Sequence, residues 1–228
     1  MKIHPLHSWD LTLEQATILQ RELAGRVDSD QAVKSCRLIA GADISYNLTS
    51  PTLYAAVLVL RMEDMSLVEV KSTVSEARFP YHSGYLSFRE APALLQAFAL
   101  VESEPDVIML DGQGIAHPRR LGLACHIGLW LQRPCLGCAK SRLVGRHADL
   151  DLEADSQADL VDTNEVVGRV VRTKKGVRPV YVSPGHLIDL SSAVALVLSS
   201  CRGYRLPEPT RQADHYVNAL RRGEVRPA

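Results

Sequence analysis

A chain of 228 residues, 46% hydrophobic and 23% charged, has the balance of an ordinary folded domain and the length for one large unit, residues 1–228, with a sizeable core. Its 26 Lys and Arg offset 26 Asp and Glu, so total charge neither favours nor excludes a nucleic-acid partner. Five cysteines in so long a chain argue against a disulfide-stapled scaffold, Met1-Lys-Ile-His-Pro5 lacks the apolar stretch of a signal peptide, and no run approaches the ~18 apolar residues of a membrane span, which leaves a reduced, cytoplasmic protein with no membrane partner as the expectation.

In chain order, residues 12–24 predict a helix: Leu13, Ala16, Leu19 and Leu23 share a face, Thr12 and Gln15 form a capping box, and Gly25 ends it. Three strand-like runs follow at 37–45, 53–60 and 67–74, joined by short links that favour antiparallel pairing. The third alternates Val68, Val70 and Val74 with polar residues, as a half-exposed edge strand does. An apolar helix is expected at about 91–101, then the run Val107-Ile-Met-Leu110, a helix over 118–131 and a short strand at Cys135. Strands separated by helices imply parallel pairing. Residues 165–172 and 177–183 read as a hairpin around Lys174-Lys-Gly176, followed by a helix over 187–200. Cys135 and Cys138 form a CxxC without a second ligand pair, so they read as small buried strand residues rather than a zinc site.

Charge is segregated along the chain. Residues 112–148 carry six Lys or Arg and no acid, residues 166–188 carry five more, and an acidic stretch spans 149–165. The basic segments are either a phosphate-facing surface or solvated loops.

Several polar residues sit where they demand an explanation. Asp43 lies inside the first strand on the face of Ile39 and Gly41, and a strand aspartate needs a cation or donors to compensate it. Asp111 ends a buried parallel strand, where ligands collect in open α/β sheets. Together they suit a hard divalent cation such as Mg²⁺. Two readings stand for Glu90: Ser87 and Glu90 form a capping box, or Pro92 takes the first helical position and Glu90 lies just outside the helix, free to face a metal. His117-Pro118-Arg119-Arg120 opens a helix whose N-terminus would favour an anion, with Arg119 able to recognise phosphate. Lys140 ends a strand of small residues and would aim an ammonium at the same sheet edge, while Asp111-Gly112-Gln113-Gly114 permits a tight loop.

These motifs, Gly41-Ala-Asp43, Gly84-Tyr-Leu-Ser-Phe-Arg-Glu90, Asp111-Gly-Gln-Gly-Ile-Ala-His-Pro-Arg-Arg120, Gly137-Cys-Ala-Lys140 and Gly203-Tyr-Arg-Leu-Pro-Glu-Pro-Thr-Arg-Gln-Ala-Asp214, together resemble the endonuclease V family in its own order across residues 38–214. The resemblance implies an α/β, ribonuclease H-like fold with a mixed five-stranded central sheet and flanking helices, matching the order of elements above. It implies a monomeric DNA-repair enzyme that uses Mg²⁺, or Mn²⁺ as substitute, to cut the second phosphodiester 3′ to deoxyinosine, leaving 3′-hydroxyl and 5′-phosphate ends. The alternatives are an inosine-specific endoribonuclease, another nuclease of this fold such as a junction resolvase, or a non-enzymatic binder with a relic site. Carried over, Asp43 and Asp111 bind the metal. Glu90 acts there through water, Asp214 positions metal or water, Lys140 steadies the scissile phosphate and His117 lines the site. Pro80 and Tyr81 match a strand-separating wedge, although His82 and Ser83 replace its stiffer residues. Gly84, Gly112 and Gly114 fit a backbone-lined base pocket, with Arg119 at the substrate.

Overall fold

The computed structural model describes residues 1–47 and 49–228. It contains α1 (Leu13–Ala24), β1 (Leu38–Tyr46), β2 (Thr52–Arg61), β3 (Leu67–Glu76), α2 (Leu86–Leu100), β4 (Val107–Leu110), α3 (Leu123–Leu131) and β5 (Cys135–Ala139). These are followed by β6 (Gln157–Asp162), β7 (Glu165–Val171), β8 (Val180–Pro184), α4 (Leu190–Ser199) and α5 (Glu208–Arg221). The strands form one sheet in the order β3-β2-β1-β4-β5-β8-β7-β6. β1, β2 and β3 are antiparallel, β4 pairs parallel to β1 and to β5, and the pairs β5–β8, β8–β7 and β7–β6 are antiparallel.

The expected mixed α/β sheet is therefore present, but with eight strands rather than five. The hairpin of β7 and β8 joins the edge of β5, and β6 extends it. β6 comes from the acidic stretch, where only Leu160 is buried, so it carries no apolar pattern to read.

Two cores flank the sheet. Ala40, Ala42, Ile108 and Leu110 face α2 and α3, whereas Ile39, Val107 and Met109 face α4 and α5. The second face depends on Gly41: a Cβ there would lie 2.0 Å from the carbonyl oxygen of Pro209 at the start of α5. That absence of a side chain lets α5 approach β1 closely, and Ser45, two pairs further along the same face, donates to Asn218 of α5 at 2.9 Å.

Two helix expectations need correction. α2 begins at Leu86, five residues early, and neither reading of Glu90 holds: Tyr85 is an N-cap without a side-chain bond and Pro92 lies inside the helix. Burial of Phe88 among His7, Trp9 and Phe79 supports the earlier turn, and the Ser87 hydroxyl is engaged with His126. α3 begins at Leu123 rather than at Pro118. Arg120 is left-handed (φ 56°), and the Gly122 and Ala124 N–H groups donate to Gly114 and Gln113, so residues 111–122 are a tied loop. His117 and Arg119 thus do not stand at a helix N-terminus, and that anion site is absent from them. The capping box of α1 forms as expected.

The N-terminal segment is held by a neutral histidine pair. The His7 Nδ1–H donates to the Ser8 carbonyl at 2.8 Å, which leaves Nε2 to accept from His126 Nε2–H at 2.7 Å and from the Trp130 indole at 3.3 Å. His126 Nδ1 then accepts from Ser87 Oγ at 3.0 Å. Burial, and for His126 also the neighbouring His7, holds both imidazoles below their ordinary value of 6.5. Above that value both folded and unfolded chains are neutral there. As pH falls below it, the unfolded chain takes up protons first and stability is lost. From pH 7.5 to 5 the urea unfolding midpoint of His126→Leu should rise relative to that of the native chain, because the variant lacks this loss; a difference that does not change with pH would contradict the pairing.

Candidate active site

The carboxylates collect at the C-terminal ends of the parallel strands. β1 and β4 are in register Ala42 to Leu110, so Asp43 and Asp111 emerge side by side. α5, drawn in at Gly41, brings Asp214 to the same point, and ligand oxygens of Asp43, Asp111 and Asp214 lie within 4.8 Å of one another. Glu90 reaches the group from α2 and is buried. Lys140, just past β5, places Nζ 2.5 Å from Asp111 Oδ2 and 2.7 Å from Asp214 Oδ1.

The electrostatics follow from one ammonium among four carboxylates. Burial, then the charge of Asp111, raises the Asp43 carboxyl well above its usual range, with Lys140 opposing. Burial outweighs Lys140 at Asp111, which is also raised. Glu90 is pushed up to about 8 by burial and by the charges of Asp43 and Asp111. Burial alone would lower the Lys140 ammonium, but Asp111 and Asp214 raise it. Converging carboxylate oxygens at raised values are a donor set suited to a hard divalent cation, which takes oxygen ligands and relieves their repulsion.

The group lies in a cleft of about 490 Å³. Gly84, Leu86, Ser87, Gly112, Gln113 and His117 line it together with Arg142 and Leu143, with Tyr81 at the mouth, 63% exposed. His117 is buried, and burial lowers it to about 4. Its Nδ1 accepts from the Arg119 N–H, so Nε2 carries the proton and donates to the Gly84 carbonyl at 3.0 Å.

Other expected site residues are placed elsewhere. Pro80 is exposed beside Tyr81 but does not line the cleft, and Gly114 packs beneath it, where a Cβ would meet the Pro184 carbonyl at 1.9 Å. Arg119 turns inward: it donates to Gln20 and to Gly84 and stacks on Tyr85 at 4.3 Å. Three of the eleven Lys and Arg of the basic segments pair with the acidic one. Arg120 pairs with Asp162 and Glu165, Arg169 with Asp159, and Lys175 with Glu153. Among the described residues of these segments, Arg119, Arg142, Arg146, Arg172, Lys174 and Arg178 make no ion pair, and Arg119 and Arg172 donate to neutral acceptors instead.

The Endonuclease V profile matches residues 21–215. The chain belongs to the Endonuclease V family. Endonuclease V of Dehalococcoides mccartyi (strain CBDB1) is 53% identical over 213 residues, 93% of this chain and 96% of that one. The crystal structure of Endonuclease V from Streptomyces avermitilis superposes with a TM-score of 0.90 at 36% identity, covering 99% of this chain and 100% of that one. Ciona intestinalis Endonuclease V, in complex with a 24mer DNA containing an inosine followed by a ribo-adenosine, gives 0.82 at 26% identity over 93% and 99% of the two chains. The sheet and its flanking helices are the ribonuclease H-like fold of these Endonuclease V structures, and membership makes the chain a nuclease.

The Endonuclease V match spans every carboxylate of the cluster and Lys140, but stops short of Thr17 and Gln20. Both belong to the loop network beside the cleft, and sequence reasoning missed them, as it missed Ser45 and Asn218 behind the carboxylates. A polar residue on the buried face of α1, at position 20 between Ala16 and Leu23, was the available signal.

Proposed function

We propose that this chain is a divalent-metal-dependent endonuclease that nicks DNA at the second phosphodiester 3′ to deoxyinosine, leaving 3′-hydroxyl and 5′-phosphate ends. The observation that carries the reading is the convergence of Asp43, Asp111 and Asp214 beside Lys140 on the floor of a cleft. Asp43, Asp111 and Asp214 would hold Mg²⁺, or Mn²⁺ in its place. Such a cation supplies charge for the scissile phosphate and a bound water of lowered pKa. Lys140 Nζ offsets charge on the phosphoryl oxygens. Glu90, in the same pocket, holds and releases a proton of the attacking water. His117 stays neutral and keeps the Gly84 peptide in place, so the lesion base meets a fixed wall formed by Gly84, Leu86 and Gly112. A base hidden in a duplex must leave the stack to be read there.

Tyr81, exposed at the mouth of the cleft, parts the strands. Tyr81→Ala should weaken binding of an inosine-bearing duplex about fivefold to 150-fold, the worth of ~1–3 kcal/mol of base–aromatic stacking. An inosine-bearing single strand should lose less, since it has no strands to part; equal losses would reject strand separation.

The ribo-adenosine that follows inosine in the DNA of the Ciona structure favours one second reading, inosine-bearing RNA as substrate. The test compares inosine-bearing DNA, inosine-bearing RNA and a four-way junction, each with Mg²⁺. Nicking of the DNA two bonds 3′ to the lesion supports the proposal, cleavage of the RNA alone supports the second reading, and cleavage of the junction alone overturns both.

A further inference from the structure

We propose that Gln20, on α1, is a positioning residue that fixes the cleft wall at Gly84 and thereby sets recognition of the substrate; the substrate part of this inference rests on the function proposed above. Gln20 is wholly buried and does not line the cleft, so it cannot touch a substrate. Both ends of its amide are nevertheless committed to that wall. Nε2 donates to the Gly84 carbonyl at 3.0 Å, and Oε1 accepts from Arg119 Nε.

The Gly84 carbonyl is the focus of the arrangement. It accepts from Gln20 Nε2 at 3.0 Å, His117 Nε2 at 3.0 Å and Arg119 Nη2 at 2.6 Å. A carbonyl oxygen has two lone pairs, and three donors, one of them a guanidinium, define its direction strongly. Gly84 needs that support because its φ of +78° is open to glycine and gives the loop no side-chain anchor of its own. Gln20, Gly84 and Arg119 form a closed ring: the glutamine orients the guanidinium, and both hold the same oxygen.

A second link runs from the same face of α1. Thr17 Oγ1 donates to the Leu13 carbonyl at 2.7 Å, so at its 2.7 Å contact with Tyr85 the phenol is the donor. Tyr85 carries the stacked Arg119 on its ring. Residues 17 and 20, one turn apart, therefore grip Tyr85 and Gly84, the last two residues before α2, which carries Leu86 and Ser87 into the cleft. A leucine at 20 would fill a similar space without burying an amide. What the glutamine adds is direction at Gly84.

The expected signature is a split between KM and kcat. On inosine-bearing DNA with Mg²⁺, Gln20→Leu should raise KM about tenfold, the loss of one or two buried hydrogen bonds, with kcat within about twofold of the native value. Gln20→Glu keeps an acceptor for Arg119 but loses the donor to Gly84, so it should raise KM as well, and it covers the case in which Gln20→Leu does not fold. Thr17→Val should raise KM by a smaller factor, and Thr17→Ser, which keeps the hydroxyl, should restore it. An unchanged KM in folded Gln20→Leu or Gln20→Glu, with only the thermal midpoint lowered, overturns the proposal.

Hydrogen exchange separates this from failure of the functional reading. The Tyr85 N–H, bonded to the His82 carbonyl at 3.0 Å, should exchange faster in the Gln20 variants whether or not the native chain cuts inosine-bearing DNA. Native protein inactive on that DNA with faster exchange in the variants rejects the substrate and keeps the positioning role. Unchanged exchange overturns the positioning role itself.

Discussion

Asp43→Ala and Asp111→Ala should each abolish Mg²⁺-dependent nicking, a loss of about 10³-fold or more, because a catalytic metal supplies several kcal/mol of transition-state stabilisation. The fold should persist. Asp43 is a strand residue whose main-chain ladder to β2 does not involve its side chain, and its carboxylate is opposed by burial and by Asp111. Without metal, Asp43→Ala should be at least as stable as the native chain, since it removes a buried like charge. Divalent cation should then distinguish the two. Native protein gains stability by mass action, about 2.7 kcal/mol at a hundred times Kd, and the variant gains little. Near-normal nicking by either variant would contradict the assignment, as would equal stabilisation of both proteins by Mg²⁺.

Lys140→Met carries the second large effect. Its Nζ lies between Asp111 and Asp214 and is the donor placed to reach a phosphate at the same carboxylates. Removing such a donor costs roughly 10²–10³ in rate. Unlike Asp43→Ala, this variant leaves the carboxylates without their ammonium. In EDTA it should lose about 1–2 kcal/mol, less than for a fully buried pair because the Lys140 side chain is 39% exposed. Added Mg²⁺ should stabilise it more than it stabilises the native chain, since cation and ammonium balance the same charge. A variant with reduced stability and an unaffected rate would make Lys140 a counter-ion alone.

The two aspartates were legible because each broke a local rule: Asp43 sits in the middle of an apolar strand and Asp111 ends one. The period of two put Asp43 on the face of Gly41, and that face meets α5. Asp214 had no such signal. α5 starts at Pro207-Glu208-Pro209, which reads as a loop, although Ala213, Val217 and Leu220 give it a buried stripe at helical spacing. Its place in the site depends on a contact between residues 41 and 209 that no local pattern contains. β6 was invisible for the opposite reason, having only Leu160 buried among its six residues and being held by its ladder to β7. The HPRR motif shows where local reasoning misleads. A Pro after a polar residue suggests a helix start, but Arg120 reaches across to Asp162 and Glu165 and takes a left-handed conformation instead. The same long-range pairing takes Arg120, Arg169 and Lys175 out of what looked like a basic strip along the chain.

The most direct test of the central claim is to map the cut. An end-labelled duplex with one deoxyinosine, incubated with the native protein in Mg²⁺ and in EDTA, should give in Mg²⁺ a single nick at the second phosphodiester 3′ to the lesion. The fragment ends should be a 3′-hydroxyl and a 5′-phosphate, with no product in EDTA and none from the matched adenine duplex. Equal cutting in EDTA, or equal cutting of the adenine duplex, would contradict the account.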